Sequence, residues 1–480
     1  MLESRLTLAE FKRRAEQALN DPRLQQALAG ATRHFREGRE RAWAELPDVD
    51  ALRDQLKEIR AATIARLAEH LETFERNATA AGAHVHWARD GEEANRIIVD
   101  IAQRHQVRLL VKSKSMTGEE IRVNPALEAA GIIPVETDLG EWIVQLAGES
   151  PSHIIAPAIH KTRQQVAELL SRATGRSLPV DDIPALTAVA REFLRDKFLR
   201  ADMGLTGVNV AVAETGSIVL VTNEGNGRMV TSAPPVHVAI MGVEKIVPTW
   251  NEAAVWLQLL ARSATGQPLS VYTTVITGPA RREDADGPQE LHIIILDHNR
   301  TQALGTPFEE VLQCIRCGSC LNVCPVYREV GGNAYGSPYS GPIGIVVTPL
   351  IFGLEAYPAL PHACTLCGAC KEVCPARIDL PRMILEWRHE ESRRGLLPRS
   401  DLWSERWAAW LLAHPRLWRA LTRILRWVQA PFKRDGQVRL PPPFQITGER
   451  DLPSLASRSF REMWDAGDVD ADGGDAHGRT

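Results

Sequence analysis

Two cysteine runs of identical spacing constrain this chain more than anything else in it. Cys314-Ile-Arg-Cys317-Gly-Ser-Cys320-Leu-Asn-Val-Cys324-Pro325 has the form C-x2-C-x2-C-x3-C-P, and Cys364-Thr-Leu-Cys367-Gly-Ala-Cys370-Lys-Glu-Val-Cys374-Pro375 repeats it 50 residues later. All 8 cysteines of the 480-residue chain lie in these two runs, so a disulfide framework, which scatters its cysteines through a short secreted chain, does not apply. Three thiolates at this spacing wrap one cubane iron–sulfur cluster, and the small residues between them leave room for its sulfides. Two zinc sites are the competing reading. Zinc ribbons pair two C-x2-C units per ion and have no use for a third evenly spaced cysteine followed by C-P.

In two-cluster ferredoxins the fourth cysteine, the one before proline, ligates the other cluster. The expected cofactors are therefore two [4Fe–4S] clusters with crossed ligands. Cluster 1 takes Cys314, Cys317, Cys320 and Cys374; cluster 2 takes Cys364, Cys367, Cys370 and Cys324. The 39 residues between the motifs (325–363) are rich in Gly, Pro and Tyr, too long a loop for a minimal bacterial ferredoxin. With helical flanks at Pro307–Gln313 and Leu380–Arg394, the module resembles the all-α helical ferredoxin of succinate dehydrogenase and glycolate oxidase iron–sulfur subunits. A compact βαβ ferredoxin is the alternative.

The rest of the chain reads as further domains. Residues 1–80 form a helical N-terminal extension, with Leu52, Leu56, Ile59, Ile64, Leu67 and Leu71 recurring near the helical period. Residues 81–300 alternate strands and helices, the mark of one α/β domain. Ala83–Ala88 and Val107–Val111 flank the helix Glu92–His105. Strands follow at Ile132–Val135, His153–Ala158, Val208–Ala213, Ser217–Thr222, Arg228–Ser232, Val236–Val247, Val271–Thr277 and Leu291–Leu296. Helices are expected at Leu139–Ala147, Thr162–Ala173, Ile183–Leu199 and Asn251–Ala264. Residues 301–395 hold the cysteine module, 396–432 a Trp-rich helical segment broken at Pro415, and 433–480 an irregular, disordered tail with a PPP run and an acidic end.

Several function classes drop out. With 56 basic against 60 acidic residues, the chain offers no whole-molecule attraction for nucleic acid. Its start, MLESRLTLAEFKRRAEQ, lacks the apolar centre of a signal peptide. The longest apolar stretches, Ile343–Leu354 and Ile293–Leu296, fall short of the roughly 20 residues that cross a bilayer. A cytoplasmic protein is expected, with peripheral contact at the inner membrane face left open. Gly225-Asn-Gly227-Arg-Met-Val230 lacks the third glycine of a dinucleotide fingerprint, and no phosphate-binding G-x4-G-K-[ST] string exists.

Three stretches carry a family resemblance: VKSKSMTGEEI (Val111–Ile121), NPALEAAGIIPVETDLGEWIVQLAGESPSHIIAPAIHKTR (Asn124–Arg163) and VAVAETGSIVLVTNEGNGRM (Val210–Met229). They resemble the lactate-utilisation (LUD) domain. Joined to the double cluster motif and a Trp-rich tail, over roughly residues 10–460, they resemble the lactate-utilisation protein B family. The resemblance implies a NagB/RpiA/CoA-transferase-like α/β fold. It also implies work with LutA- and LutC-like proteins in oxidising L-lactate to pyruvate, lactate or an electron-donor subunit supplying electrons that the clusters relay to a respiratory acceptor. On that reading the chain is a redox subunit of an L-lactate dehydrogenase-type complex, not catalytic alone.

Site residues in the α/β domain carry weaker signals. Lys112, Lys114, Ser115 and Thr117 follow a strand and open a helix, where a carboxylate or phosphate could sit, and Thr117 with Glu120 fits a capping box. An ordinary capped helix with solvated lysines is the plainer alternative. Glu214, at the turn Glu214-Thr-Gly216-Ser217, occupies the place where CoA transferases carry a catalytic glutamate; a structural hairpin is as good a reading. The Asn223–Arg228 loop is assigned to the same pocket. His84, His86, His153 and His160 have no metal-ligand spacing and read as structural. Two other functions compete with the relay: an enzyme acting on a CoA ester or phosphorylated acid with structural clusters, and a docking platform for partners.

Residues 401–434 hold seven basic and two acidic residues among Trp403, Trp407, Trp410, Trp418 and Trp427. Such a segment fits a quinone or membrane-surface contact, or helices packing over the cluster module. Asp468-Val-Asp470-Ala-Asp472-Gly473 imitates the start of a calcium loop but has Arg479 at position twelve, so calcium binding is not expected.

Overall fold

The chain enters on four helices: α1 (Leu8–Leu19), α2 (Pro22–Ala44), α3 (Val49–Ala65) and α4 (Leu67–Ala80). Asp21 accepts from the backbone N–H groups of Arg23 and Leu24, and Asp48 from that of Ala51, so α2 and α3 start where a short polar side chain replaces a missing carbonyl. The computed structural model describes residues 6–396, 399–434, 436–438 and 452–468.

Ten strands follow: β1 (His84–Ala88), β2 (Leu109–Lys112), β3 (Ile133–Glu136), β4 (Met203–Gly207), β5 (Val210–Val212), β6 (Ser217–Thr222), β7 (Val236–Gly242), β8 (Ile246–Val247), β9 (Tyr272–Ile276) and β10 (Glu290–Leu296). Six of them make a parallel sheet in the order β1-β10-β7-β4-β2-β3. Helix α5 (Gly91–Arg104) leads from β1 to β2. Central strands β7 and β10 read as near-continuous apolar runs because helices and the second sheet bury both their faces. That second sheet, β8-β5-β6-β9, is mixed: β5 pairs antiparallel with β6 and parallel with β8. The parallel sheet and its crossover helices are the α/β architecture expected of a LUD domain.

Two expected strands are something else. Asn226–Ser232 is a helix, because Val230 packs into a core with Val111 and Trp142 and tertiary burial overrides its β preference. His153–Ala158 is a loop. His153 Nδ1 accepts from the N–H groups of Ile155 and Ala156, and Pro157 has none to give a neighbouring strand. The helix Met116–Glu120 is capped by Ser115, whose Oγ accepts from Gly118 N–H at 3.0 Å; Thr117 lies inside it.

From Arg300 to Arg394 the described elements are helical: short 3-10 turns and the helices Ser319–Val323, Pro325–Val330, Gly341–Phe352, Ala369–Glu372 and Leu380–Arg394. One apolar core joins them to α3, α4 and the second sheet, through Leu56, Phe74, Trp256, Leu321 and Ile345 among others. The chain falls into two compact units that divide after Leu396. Within the second, the described residues form the helices Arg399–Leu412, Pro415–Val428 and Phe460–Asp465 and three two-residue strands. Asp470, Asp472, Gly473 and Arg479 of the calcium-loop imitation lie outside the described residues. Among those described, no helix is long and apolar enough to cross a membrane.

Candidate functional site

Both cysteine motifs adopt one local conformation. The residue two after the first cysteine, Arg316 or Leu366, has a positive φ (60° and 56°), and the glycine after the second cysteine, Gly318 or Gly368, has φ of 76° and 84°. Glycine belongs there because a side chain rarely tolerates that region. The turn aims Arg316 N–H at Cys314 Sγ (3.4 Å) and Leu366 N–H at Cys364 Sγ (3.3 Å). Tyr327 N–H points at Cys324 Sγ from 3.5 Å. Such bonds stabilise sulfur carrying negative charge.

A small cavity collects Cys314, Cys317, Cys320 and Cys374, two motifs contributing to one site, with Ile154, Ile343 and Leu380 sealing it. Burial, then the charges of Cys364 and neighbours, pushes the Cys370 thiol up to about 12, and burial pushes Cys324 to about 11 with Cys364 and Cys367 beside it. Cys374 is likewise raised by burial and by Cys317 and Cys314. Each proline-linked cysteine thus sits among the first three of the other motif. Burial and the neighbouring sulfurs disfavour the charged thiolate at each of these positions.

The spacing of the sulfurs separates the two candidate partners. A tetrahedral zinc ion holds its sulfurs at about 2.3 Å, hence about 3.8 Å apart. No three cysteine sulfurs among the described residues lie within 4.8 Å of one another. Two motifs of C-x2-C-x2-C-x3-C-P spacing meeting in one cavity are the donor arrangement that a cubane cluster takes.

Helix α3 braces this region from outside. Arg53 donates to the carbonyls of Cys374 (3.0 and 3.2 Å) and Glu372 (2.5 Å) while lying over the Trp43 ring. One helical stretch further on, the fully buried Arg60 donates to the carbonyls of Ile246 and Glu244 (both 2.6 Å) and Leu312 (2.9 Å). Arg60 therefore ties the α/β domain to the segment that leads into Cys314.

A cavity of about 550 Å³ opens at the carboxyl ends of the parallel strands, where ligands of open α/β sheets bind. Ser113–Thr117 enter it from β2, Asp138 from beyond β3, Asn209 from beyond β4, and Glu244 and Lys245 from beyond β7. Arg316 and Tyr339 close it from the cysteine module, so the same Arg316 belongs to the first cluster loop. Burial lowers Lys245 to about 8 and holds Lys114 below its ordinary value, and burial with the nearby Asp138 charge raises Glu224 to about 7. Perturbed groups gathered in one cavity make it a candidate functional site. Arg316 Nη1 and Asn226 Oδ1 are buried without a protein partner.

The structure distributes the sequence candidates unevenly. Lys114, Ser115 and Thr117 line the cavity together with Asn223, Glu224 and Asn226. Lys112 does not: it is wholly buried, its amine 2.7 Å from Glu119 and 2.5 Å from Glu136. Glu214 is on an exposed turn away from the cavity, accepting from Trp250 N–H at 2.7 Å. His153 is buried against Phe35 and is lowered to about 3 by burial. His160 meets Glu149 at 2.7 Å. Sequence reading passed over Lys245, Arg316 and Tyr339, although a charged Glu244-Lys245 pair ending the apolar run of β7 was a visible signal.

Residues 71–296 match the LUD domain family, and residues 310–378 match the 4Fe-4S dicluster domain family. The chain is 42% identical to lactate utilization protein B of Shouchella clausii over 461 residues, covering 95% of this chain and 97% of the relative. It is 43% identical to lactate utilization protein B of Geobacillus thermodenitrificans, over 95% and 96% of the two chains. The uncharacterized electron transport protein YkgF of Escherichia coli is 42% identical over 95% and 96%. A crystal structure of a DUF162 family protein from Deinococcus radiodurans aligns at 20% identity over 48% of this chain and 98% of its own, with a TM-score of 0.26.

Proposed function

This chain belongs to the lactate utilization protein B family, and we propose that it is the iron–sulfur electron-transfer subunit of an L-lactate-oxidising complex with LutA- and LutC-like partners. Bound [4Fe–4S] clusters at Cys314/Cys317/Cys320/Cys374 and Cys364/Cys367/Cys370/Cys324 would accept, one each, the two electrons that lactate releases on becoming pyruvate, and pass them to a respiratory acceptor. The observation that carries this reading is the shared wall: Arg316 lies in the first cysteine loop and also faces the cavity of the α/β domain.

The residues around that cavity suit a small carboxylate. Lys114, Lys245 and Arg316 supply positive charge, and Ser115 and Thr117 supply hydroxyls. Lys112 stays with its carboxylates and holds the strand end in place. The loop Ile154–Ile159 gives the cavity an apolar wall through Ile154, Ile155 and Pro157. Glu224, held near 7, is the group that can accept a proton at working pH.

The test is anaerobic purification of the chain alone and of the complex with its partners. About eight irons per chain are expected from two four-iron clusters, with lactate reducing them only when the partners are present. Stoichiometric zinc without iron would overturn the cluster assignment. Reduction by lactate of the isolated chain would overturn the relay role and make this subunit the lactate-oxidising enzyme itself.

A further inference from the structure

Strand pairing brings His292 to His84 and His86, and a fourth histidine joins them from the helix layer. In β1, His84 and His86 share a face, as do Glu290 and His292 in β10, because residues two apart on a strand point the same way. The register sets His84 opposite His292, so the two faces coincide. His105, which caps the end of α5, closes the group from the helix layer. The cluster stands at the amino end of the sheet, opposite the cavity that receives Lys114 and Lys245.

Its geometry is specific. Glu290 Oε2 lies 3.2 Å from His292 Nε2 and 3.3 Å from His105 Nε2, and one atom from each of the three residues falls within 4.8 Å of the others. A tetrahedral zinc ion with bonds of about 2.0–2.1 Å spaces its ligands about 3.3 Å apart. The other nitrogen of His292, Nδ1, is 3.1 Å from His86 Nε2, and the His84 ring stacks on His292 with centroids 4.9 Å apart. A ligating imidazole characteristically spends its second nitrogen on such a hydrogen bond, which fixes the ring and leaves the first nitrogen's lone pair for the metal. His292 is buried with a side chain 4% exposed, whereas His105 and Glu290 are 29% and 40% exposed, so an ion can enter and a water can complete its shell.

We propose that His105 Nε2, His292 Nε2 and Glu290 Oε2 form a binding site for a divalent cation of the zinc class, with His86 orienting His292. The carboxylate offsets part of the ion's charge. Two nitrogens and one carboxylate oxygen with an open fourth position form a donor set that zinc accepts and that magnesium and calcium, which prefer oxygen, do not. The ion would pin the end of α5 to β10, next to the edge strand β1. The site is independent of the cysteines and of the lactate reading.

The test uses the full chain purified anaerobically with its iron in place, loaded with Zn2+, and freed of loose metal by gel filtration before elemental analysis. One zinc per chain is expected beyond the iron, with the iron count unchanged, and an excess of Mg2+ should not displace it. His292→Ala and Glu290→Gln should each weaken zinc retention at least tenfold, and the partly exposed His105→Ala gives the same readout without disturbing buried packing. Zinc should also raise the thermal midpoint of the parent and leave the variants unmoved. No retained zinc, or retention equal in all three variants, would overturn the site and leave a hydrogen-bonded histidine cluster; neither result touches the cluster assignment, which is read from the iron.

Discussion

Arg316 Nη2 lies 3.4 Å from Glu244 Oε1, joining the first cysteine loop to the end of strand β7. Glu244 also sits 2.9 Å from Arg300 Nε, and Arg300 makes a two-pronged pair with Glu120 at 2.7 and 2.8 Å. Tyr339 and His298 complete the set by bonding Glu120 at 2.7 and 2.8 Å. Through this buried chain of charges the α/β domain and the cysteine module share one electrostatic environment. The Arg300 and His298 partners hold Glu120 well below the usual carboxylate range against the opposing effect of burial.

Arg316 should therefore tune one redox centre and not the other. Its charge is felt at Cys314, and removing a positive charge disfavours the more negative reduced state. Arg316→Met is expected to lower one of two cluster potentials by about 60 mV, a tenfold change for a one-electron couple, and to leave the second in place. A potentiometric titration followed by EPR measures this. Equal movement of both potentials would show that Arg316 acts on the fold as a whole.

Arg60 carries a different load. It supplies partners to three buried carbonyls, of Glu244, Ile246 and Leu312, and it stacks over Trp256 at 4.5 Å. Arg60→Ala leaves those acceptors without donors, at a cost of about 3 kcal/mol or more since each buried unpaired group costs roughly 1–3. Arg60→Lys should recover only part, because a single ammonium cannot reproduce the planar fork. Thermal unfolding of the iron-loaded chain, with iron release followed in parallel, gives both values; an Arg60→Ala midpoint equal to the parent's would show that the clamp is dispensable.

What the sequence made legible divides along physical lines. The cysteine loops were readable because their information is local: spacing, the glycine after the second cysteine and the following proline describe a turn without reference to the rest of the fold. The strands β7 and β10 were readable because burial on both faces writes itself into composition. Val230 was misread because its neighbours Val111 and Trp142 are distant in sequence and decide its conformation. His84 and His86 looked unremarkable for the same reason: their partners His292 and Glu290 arrive only through the β1–β10 register. Lys112 and Lys114 cannot be told apart by sequence. Lys112 is the last residue of β2, with its amine between Glu119 and Glu136, whereas Lys114 lies beyond the strand end, in the segment that lines the cavity.

Crossed ligation has a counting test that does not need spectra to be assigned. Under the proposed sets, Cys314 and Cys374 serve one cluster, so losing both costs no more iron than losing either. Cys314 and Cys324 serve different clusters. Cys314→Ser and the double Cys314→Ser/Cys374→Ser variant should each retain about four irons, and Cys314→Ser/Cys324→Ser should retain almost none. Uncrossed ligation reverses the two double variants, and anaerobic iron analysis distinguishes the outcomes directly.

Glu224 makes the cavity's anion affinity depend on pH with a definite sign. Its ordinary value of 4.5 is raised to about 7 by burial and by Asp138, so the folded chain holds a proton that the unfolded chain has released between those limits. Folding stability from this group therefore falls as pH rises from about 4.5 to about 7. The same ionisation places a negative charge in the cavity beside Lys114, while Lys245, lowered only to about 8, stays mostly charged. L-Lactate is an anion throughout, so its binding should weaken between about pH 6 and pH 7.5 by about fourfold, the loss of the neutral Glu224 form over that interval. Calorimetric titration of the iron-loaded chain with L-lactate measures the slope, and Glu224→Gln should flatten it while preserving the affinity found at the lower pH. A slope that survives Glu224→Gln would assign the titration to another group, and L-lactate binding that ignores Lys114→Met and Glu224→Gln alike would remove the carboxylate from this cavity.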